Sequence, residues 1–176
     1  MPLYSLRFNF RQRLSAPQEA AFGWCTDFGP EDGKLFLVKS RRSVRRLTKD
    51  TLVLTDTTYP KGHPQRIHRL VRLSPSEMAW TNTHLDGPFR HSQYWYRIVS
   101  DGARSCHLEF RGFRLVTTAR VLTASEVARL TDLERSTDSK LWRLRIAPAL
   151  RRDIGPHGSV SRSSDKVKRR AVERST

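Results

Sequence analysis

The stretch that decides the fold is residues 78–110, MAWTNTHLDGPFRHSQYWYRIVSDGARSCHLEF. It contains two Asp-Gly pairs, Asp86-Gly87 and Asp101-Gly102. An Asp-Gly pair between segments of alternating polarity is a strong β-hairpin signal. The sequence therefore predicts three consecutive antiparallel strands whose register follows from the two turns.

Centring the turns on these pairs predicts which side chains face the interior. Trp80 is then expected opposite Gln93 across the first turn, and Trp95 opposite Leu108 across the second. The predicted inward face consists of Met78, Trp80, Asn82, His84, Phe89, His91, Gln93, Trp95, Cys106, Leu108 and Phe110. Polar side chains on such a face must find hydrogen-bond partners or line a cavity.

Pro88 bears on this register because it has no N–H to close a two-residue loop. A symmetric four-residue loop, 85–88, leaves every pairing unchanged. A loop with an odd number of residues, or a β-bulge, reverses the face of the following strand.

The flanking sequence predicts further strands and a long helix. Seven strands are expected in all, at 3–14, 35–47, 52–59, 65–73, 78–85, 89–99 and 104–116. A short helix is expected after Pro17, and a second short helical turn within 27–33. Thr123 and Glu126 form a capping-box pattern at the start of a long amphipathic helix, which Pro148 is expected to kink.

Two more hairpin turns extend the inward face. The turn at 75–76 adds Arg69 to it. The turn at 49–50 sets Arg45 and Asp56 on one face, and their burial would require an ion pair between them. The opposite face of this hairpin fits the sequence equally well, in which case both charges are solvated.

Composition indicates one soluble globular domain, since 176 residues is close to the usual domain size. No apolar run is long enough to span a bilayer, and the N-terminal segment lacks the apolar block of a signal peptide, so a cytoplasmic location is expected. Cys25 and Cys106 lack CxxC spacing and are expected to be reduced packing residues. No cofactor fingerprint or metal-ligand spacing occurs, so no cofactor and no metal are predicted.

The formal charge of +16, mostly from arginine, raises the question of a nucleic-acid role. Residues 155–176 are rich in Ser and Arg without an apolar stripe, which predicts a disordered basic tail beyond a domain at 1–154. Such a tail would make weak, salt-sensitive contacts with polyanions. No zinc-finger, helix-turn-helix or RNP-like signature is present. A basic nucleic-acid-associated protein is therefore one hypothesis and an ordinary arginine-rich surface the other, distinguished by whether the arginines form one continuous stripe.

The order of the predicted elements is a strand, two short helices, six antiparallel strands and a long C-terminal helix, which is that of the helix-grip fold. The segments that carry the resemblance are APQEAAF at 16–22, TDF at 26–28, the Trp80 strand with LDGPF at 85–89, and YWY at 94–96. With them, the chain resembles the START/Bet v 1-like (SRPBCC) superfamily, in particular its polyketide cyclase/dehydrase and lipid-transport-like branch. The resemblance covers about 3–154. It implies an α+β fold with a curved sheet wrapped around the last helix, enclosing a cavity for an apolar or amphipathic small molecule.

The register places a candidate ligand-binding set on the inward face of that sheet. These residues are Arg69, Trp80, Asn82, His84, His91, Gln93, Trp95, Leu108 and Phe110. Large rings beside hydrogen-bonding groups suit a guest with an apolar body and a polar or anionic end. Binding or transport of such a molecule is the first functional hypothesis.

A cyclase or dehydratase-like enzyme of the same fold is the alternative hypothesis. It requires acid/base groups in the cavity, for which Asp56, His84 and His91 are the candidates. A hydrogen-bonded structural histidine is the favoured interpretation of the sequence. The geometry of these three side chains therefore distinguishes a binding protein from an enzyme.

Overall fold

Seven antiparallel strands in one sheet form the body of the protein, which the computed structural model describes over residues 1–35, 40–59 and 63–155. The strands are β1 (Leu3–Leu14), β2 (Ser40–Arg46), β3 (Thr51–Thr58), β4 (Gln65–Ser74), β5 (Ala79–His84), β6 (Gln93–Gly102) and β7 (Ser105–Thr117). Their order across the sheet is β1-β7-β6-β5-β4-β3-β2. The predicted helix-grip architecture is confirmed, and the described part of the second strand begins at Ser40. Residues 36–39 of that strand, the turn at 61–62 and residues 156–176 of the tail lie outside the described residues.

Three α-helices accompany the sheet: α1 (Gln18–Thr26), α2 (Ala124–Leu141) and α3 (Ala147–Ile154). The second short helix predicted after β1 is a 3-10 turn at Pro30–Leu35. The capping box of α2 is present, because Thr123 and Glu126 each accept a hydrogen bond from the other's backbone N–H. No helix within the described ranges is long and apolar enough to cross a membrane.

Pro148 changes the hydrogen bonding of the C-terminal helical segment without ending it. One π-helical turn, Trp142–Ile146, joins α2 to α3, and the N–H of Ala147 donates to the carbonyl of Trp142. Proline cannot donate a helical hydrogen bond and crowds the preceding turn, and the wider π turn accommodates this defect.

The predicted register of β6 against β5 is wrong. Trp80 pairs with Tyr96 and not with Gln93, a shift of three residues (96 − 93). The cause is the loop between the paired residues His84 and Ser92, which has seven residues, 85–91, where four were assumed around Pro88. Its last turn is closed by the N–H of His91, which donates to the carbonyl of His84 over 2.8 Å. An odd shift reverses the face of the following strand.

The reversal exchanges the two sides of β6. Tyr94 and Ile98 are buried, and Tyr96 packs against the same core. Gln93 is exposed and Trp95 is half-buried on the opposite face. The prediction that Gln93 and Trp95 point inward is therefore wrong. β7 keeps its predicted face. Its pairing with β6 is also shifted by three residues from the predicted register, and the two odd shifts cancel.

The registers of the β4–β5 and β2–β3 hairpins also differ from the predicted ones. The β4–β5 pairing is shifted by an even number of residues, so Arg69 stays on the inward face as predicted. The β2–β3 pairing is shifted by one, which places Arg42 opposite Asp56 and turns Arg45 to the exposed face. The predicted ion pair between Arg45 and Asp56 is therefore wrong, and so is the alternative in which both charges are solvated.

The hydrophobic core lies at one end of the inward face, beneath α1 and α3. Leu150 and Ile154 of α3 are fully buried there, and Trp24 Nε1 of α1 donates to Asp153 Oδ2 over 3.1 Å. By contrast, α2 has no fully buried side chain. Among the strands, α2 contacts mainly β1. The cavity lies between α2 and the rest of the inward face.

Candidate functional site

A cavity of two chambers lies between the inward face of the sheet and α2. The outer chamber has a volume of about 530 Å³ and the inner one about 110 Å³. Arg69 and Leu141 line both chambers, so the two adjoin. The polar side chains that line the outer chamber include Asp56, Arg69, His84, Arg114, Glu134 and Asp138.

A buried ion cluster stands at the junction of the chambers. Arg42 binds Asp56 through two hydrogen bonds, Nε to Oδ1 at 2.8 Å and Nη2 to Oδ2 at 3.2 Å. Arg69 contacts the same carboxylate from β4, and Asp32 lies 3.7 Å from Arg42. Burial, followed by the charge of Arg42, lowers the pKa of Arg69 to about 10, so the guanidinium stays protonated at neutral pH. Two guanidiniums thus share one carboxylate, which compensates much of the charge that burial penalises.

A second ion cluster joins β7 to α2 across the outer chamber. Arg114 contacts Glu134, lies 3.4 Å from Asp138, and donates through Nε to the Tyr94 hydroxyl over 2.8 Å. Its guanidinium also lies 4.5 Å from the centre of the Phe89 ring. Burial raises the pKa of Asp138, and Arg114 opposes that rise. These contacts hold the helix over the sheet without closing the gap by apolar packing.

His84 lines the outer chamber outside these two clusters, and its pKa is strongly displaced. Burial, together with the positive charges of Arg69 and Arg114, lowers the pKa of His84 to about 3. The imidazole is therefore neutral at physiological pH. Its Nδ1 is buried and has no hydrogen-bond partner among the residues that the structure describes. Such an atom is costly in an empty cavity and is satisfied by a guest or by water.

The inner chamber is aromatic. Trp80 stacks on Tyr96, with ring centres 4.8 Å apart and planes inclined by 2°, and Trp142 closes the other side. Asn82 also lines this chamber, and its buried Oδ1 has no partner within the described ranges. A volume of 110 Å³ suits a few water molecules or the tip of a larger guest.

The structure brings together only part of the residue set predicted from sequence. Arg69, Trp80, Asn82 and His84 line the two chambers. Leu108 and Phe110 are buried in the core and are absent from the lining of either chamber. His91 lies exposed in the loop between β5 and β6, Gln93 is exposed, and Trp95 is on the outer face.

The candidate acid/base group of Asp56, His84 and His91 is likewise not assembled. Asp56 is engaged by two arginines, and His91 is exposed at a positive φ of 67°. Only His84 remains available to a guest. The described part of the chain also holds no group of three His, Cys, Asp or Glu side chains arranged to bind a metal ion.

Several cavity residues were missed from the sequence. The sequence did contain a signal for three of them. Arg114 continues the inward alternation of β7, and Glu134 and Asp138 lie one helical turn apart on α2. Two further residues are Arg42, which lines the inner chamber, and Tyr94, whose hydroxyl accepts a hydrogen bond from Arg114. They were missed because the registers of their hairpins were wrong by odd numbers of residues.

Comparisons with known proteins find similarity in structure. No family model matches the sequence, and no curated protein matches it. The Zhui aromatase/cyclase from Streptomyces sp. R1128 aligns with a TM-score of 0.66 and 13% identity, covering 89% of this chain and 100% of that one. A START superfamily protein from Mycobacterium smegmatis aligns with a TM-score of 0.62 and 14% identity, covering 82% and 99%. Norcoclaurine synthase from Thalictrum flavum aligns with a TM-score of 0.59 and 10% identity, covering 88% and 99%.

At these identities the likeness concerns the fold. The chain has the START/Bet v 1-like (SRPBCC) fold, as the resemblance read from the sequence implied. The role of the cavity in this chain depends on its own side chains.

Proposed function

We propose that this protein binds a small neutral molecule with an apolar body and a hydroxyl group, held in the outer chamber between the sheet and α2. The observation that carries the proposal is the buried Nδ1 of His84, which has no hydrogen-bond partner among the described residues and belongs to a side chain that lines a chamber of about 530 Å³. A hydroxyl donating to this nitrogen would satisfy an atom that no described residue of the protein satisfies.

The walls of the chamber support an apolar body for the ligand. Apolar side chains line it from β4, from α2 and from the loop between β5 and β6: Ile67, Leu133, Leu141 and Phe89. Small-molecule sites in proteins occupy roughly 300 to 1,000 Å³ and combine such walls with a few polar groups that fix orientation. The outer chamber meets both conditions. The folds of the neighbours named as a START protein and an aromatase/cyclase are compatible with the same use.

The charge balance of the chamber favours a neutral polar group over the anionic one expected from sequence. Arg69 and Arg114 line it together with the carboxylates Asp56, Glu134 and Asp138. Two guanidiniums thus face three carboxylates, and both guanidiniums already contact carboxylates. An added carboxylate on the ligand would lose its hydration without gaining an unpaired cation.

Thermal-shift and calorimetric titrations with naphthol, naphthalene and naphthoic acid test the proposal, because the three probes share an apolar body. Naphthol is expected to bind about tenfold more tightly than naphthalene, as a hydrogen bond to a buried acceptor is worth about 1 to 1.5 kcal/mol. Naphthoic acid is expected to bind most weakly. Equal affinity for naphthol and naphthalene would contradict the proposal.

The variant His84→Phe keeps an aromatic ring but removes the acceptor, so it should abolish the preference for naphthol. His91→Asn is the matched control, since His91 is exposed and asparagine tolerates its positive φ. The control should retain the parental ranking of the three probes.

An enzyme of the cyclase or dehydratase kind is a second candidate, and Asp138 is the observation in its favour. Burial raises the pKa of this carboxyl group beside the outer chamber, as a general acid requires. His84 supports the binding role instead, because a base of pKa about 3 is poorly matched to neutral pH. Product analysis after incubation with a linear polyketone distinguishes a binding protein from an enzyme. Turnover by the parent that is lost in Asp138→Asn would favour the cyclase or dehydratase hypothesis.

A further inference from the structure

The outward face of the sheet carries an unusual concentration of arginine. Nine outward strand positions hold exposed arginines: Arg7, Arg11, Arg13, Arg41, Arg45, Arg66, Arg72, Arg97 and Arg111. The acidic residues at outward strand positions are Asp101 and Glu109. Both are engaged, Asp101 with His107 at 2.6 Å and Glu109 with Arg11 at 2.8 Å. The face is therefore strongly positive.

Two of these arginines, Arg72 and Arg111, stand at the ends of one row across the sheet. In one row across the sheet, Arg111 of β7 pairs with Trp95 of β6, Trp95 pairs with Thr81 of β5, and Thr81 pairs with Arg72 of β4. Four adjacent strands span roughly 14 Å at the usual strand spacing. The guanidinium of Arg111 lies 4.8 Å from the centre of the Trp95 ring.

A second row runs alongside and repeats this chemistry. Arg7 of β1 pairs with Phe113 of β7, which pairs with Gln93 of β6. The guanidinium of Arg7 lies 5.5 Å from the centre of the Phe113 ring. The two rows border a shallow depression of about 460 Å³, which Asn9 also lines. Aromatic rings, guanidiniums and amides thus share one accessible surface.

We propose that this face, named here the Trp95 surface and defined by Arg7, Gln93, Trp95, Arg111 and Phe113, binds single-stranded nucleic acid. Its arginines would contact phosphates, and its rings would stack with bases. A positively charged surface with exposed aromatic rings is the usual means of holding unpaired strands. The amide of Gln93 can hydrogen-bond the Watson–Crick edges of bases, which are accessible only in unpaired strands. This proposal is independent of the cavity, which opens on the other side of the sheet.

Fluorescence anisotropy with labelled single-stranded DNA and RNA oligonucleotides, using the full-length protein, measures the binding. The double variant Arg7→Gln/Arg111→Gln should weaken it at least tenfold at low salt and reduce the slope of log affinity against log salt by about 1.4, or 0.7 for each phosphate that is no longer neutralised. Arg129→Gln/Arg145→Gln is the control of equal charge, because both residues are exposed on the helical side. That control should change affinity by less than about threefold, and an equal loss in both variants would overturn the proposal.

The aromatic contribution has its own readout. Trp24, Trp80 and Trp142 are buried, so quenching of tryptophan fluorescence by an oligonucleotide would report on Trp95. Trp95→Ala is expected to weaken binding about tenfold, and Trp95→Phe to restore most of it, because stacking tolerates any aromatic ring.

Duplex DNA and anionic lipid vesicles serve as the competing partners. The proposal requires that single strands quench Trp95 and bind more tightly than the duplex at equal salt. It is overturned if vesicles or duplex bind equally well without quenching, or if Trp95→Ala binds single strands as the parent does. Equal binding of vesicles or duplex without quenching would indicate general attraction of polyanions.

Discussion

The two faces of the sheet both carry arginine, but under opposite conditions. On the inward face, Arg42, Arg69 and Arg114 each contact a carboxylate within a buried cluster. On the outward face, Arg11 alone of the nine arginines has a carboxylate within 4.0 Å among the described residues. Burial makes an unpaired guanidinium costly, whereas water solvates an exposed one. The inward arginines are therefore part of the structure, and the outward ones are available to a partner.

The same contrast applies to tryptophan, and it should produce the largest effect on stability. Trp80 is 4% exposed and stacked, so Trp80→Ala is expected to lower the free energy of unfolding by about 3 to 5 kcal/mol. Trp95→Ala on the outer face should cost only about 1 kcal/mol, mainly from its contact with Arg111. Urea unfolding of both variants measures the difference, and equal losses would contradict the assignment of faces.

Two arginines on opposite faces of β4, Arg69 and Arg72, should give the next largest difference in stability. Arg69→Met should lower the free energy of unfolding by about 2 to 3 kcal/mol, somewhat less than the usual cost of breaking a buried pair, because Arg42 still compensates Asp56. Arg72→Met on the exposed face should stay within about 0.5 kcal/mol of the parent. A neutral Arg69→Met would show that the inner cluster contributes nothing to the fold.

His84 should make the inward face sensitive to acid. Its pKa falls from 6.5 in the unfolded chain to about 3 in the folded protein, so the unfolded chain takes up the proton first. The associated stability is complete above pH 6.5 and is lost as the pH falls toward 3, by about 2 kcal/mol between pH 6.5 and 5. His84→Gln should remove that component when unfolding is measured at both pH values. His91→Asn, on the exposed loop, should lose as much stability between these pH values as the parent does. The prediction would be refuted if His84→Gln lost the same amount.

Removing the C-terminal segment should have the smallest effect on stability. Deleting residues 156–176 retains Gly155, whose N–H donates to the carbonyl of Arg151 at the end of α3. The free energy of unfolding should change by less than about 0.5 kcal/mol, and small-molecule binding should be unchanged. Only salt-sensitive binding of polyanions should weaken. A markedly lower melting temperature would show that the segment packs on the domain.

The sequence was informative about elements and much less so about register. Alternation along β7 and the capping box at Thr123 predicted that strand and that helix, and the order of all the elements predicted the fold. The position of Trp95 could not be deduced, because strand faces alternate with period two and a loop longer by an odd number of residues reverses all of them. Pro88 signalled that the first turn was irregular, but not by how much. Asp56 was predicted to need a partner if buried. A shift of one residue in the β2–β3 register makes that partner Arg42 and not the predicted Arg45.

Native mass spectrometry of the purified full-length protein tests most directly whether the cavity holds a small molecule. Leu141 lines both chambers, so Leu141→Trp should fill the space where a guest would lie. The parent is expected to carry a bound organic molecule of defined mass, or to take up naphthol when none is retained, and Leu141→Trp is expected to do neither. A parent that binds nothing, or a folded Leu141→Trp variant that binds as the parent does, would contradict a ligand site between the sheet and α2.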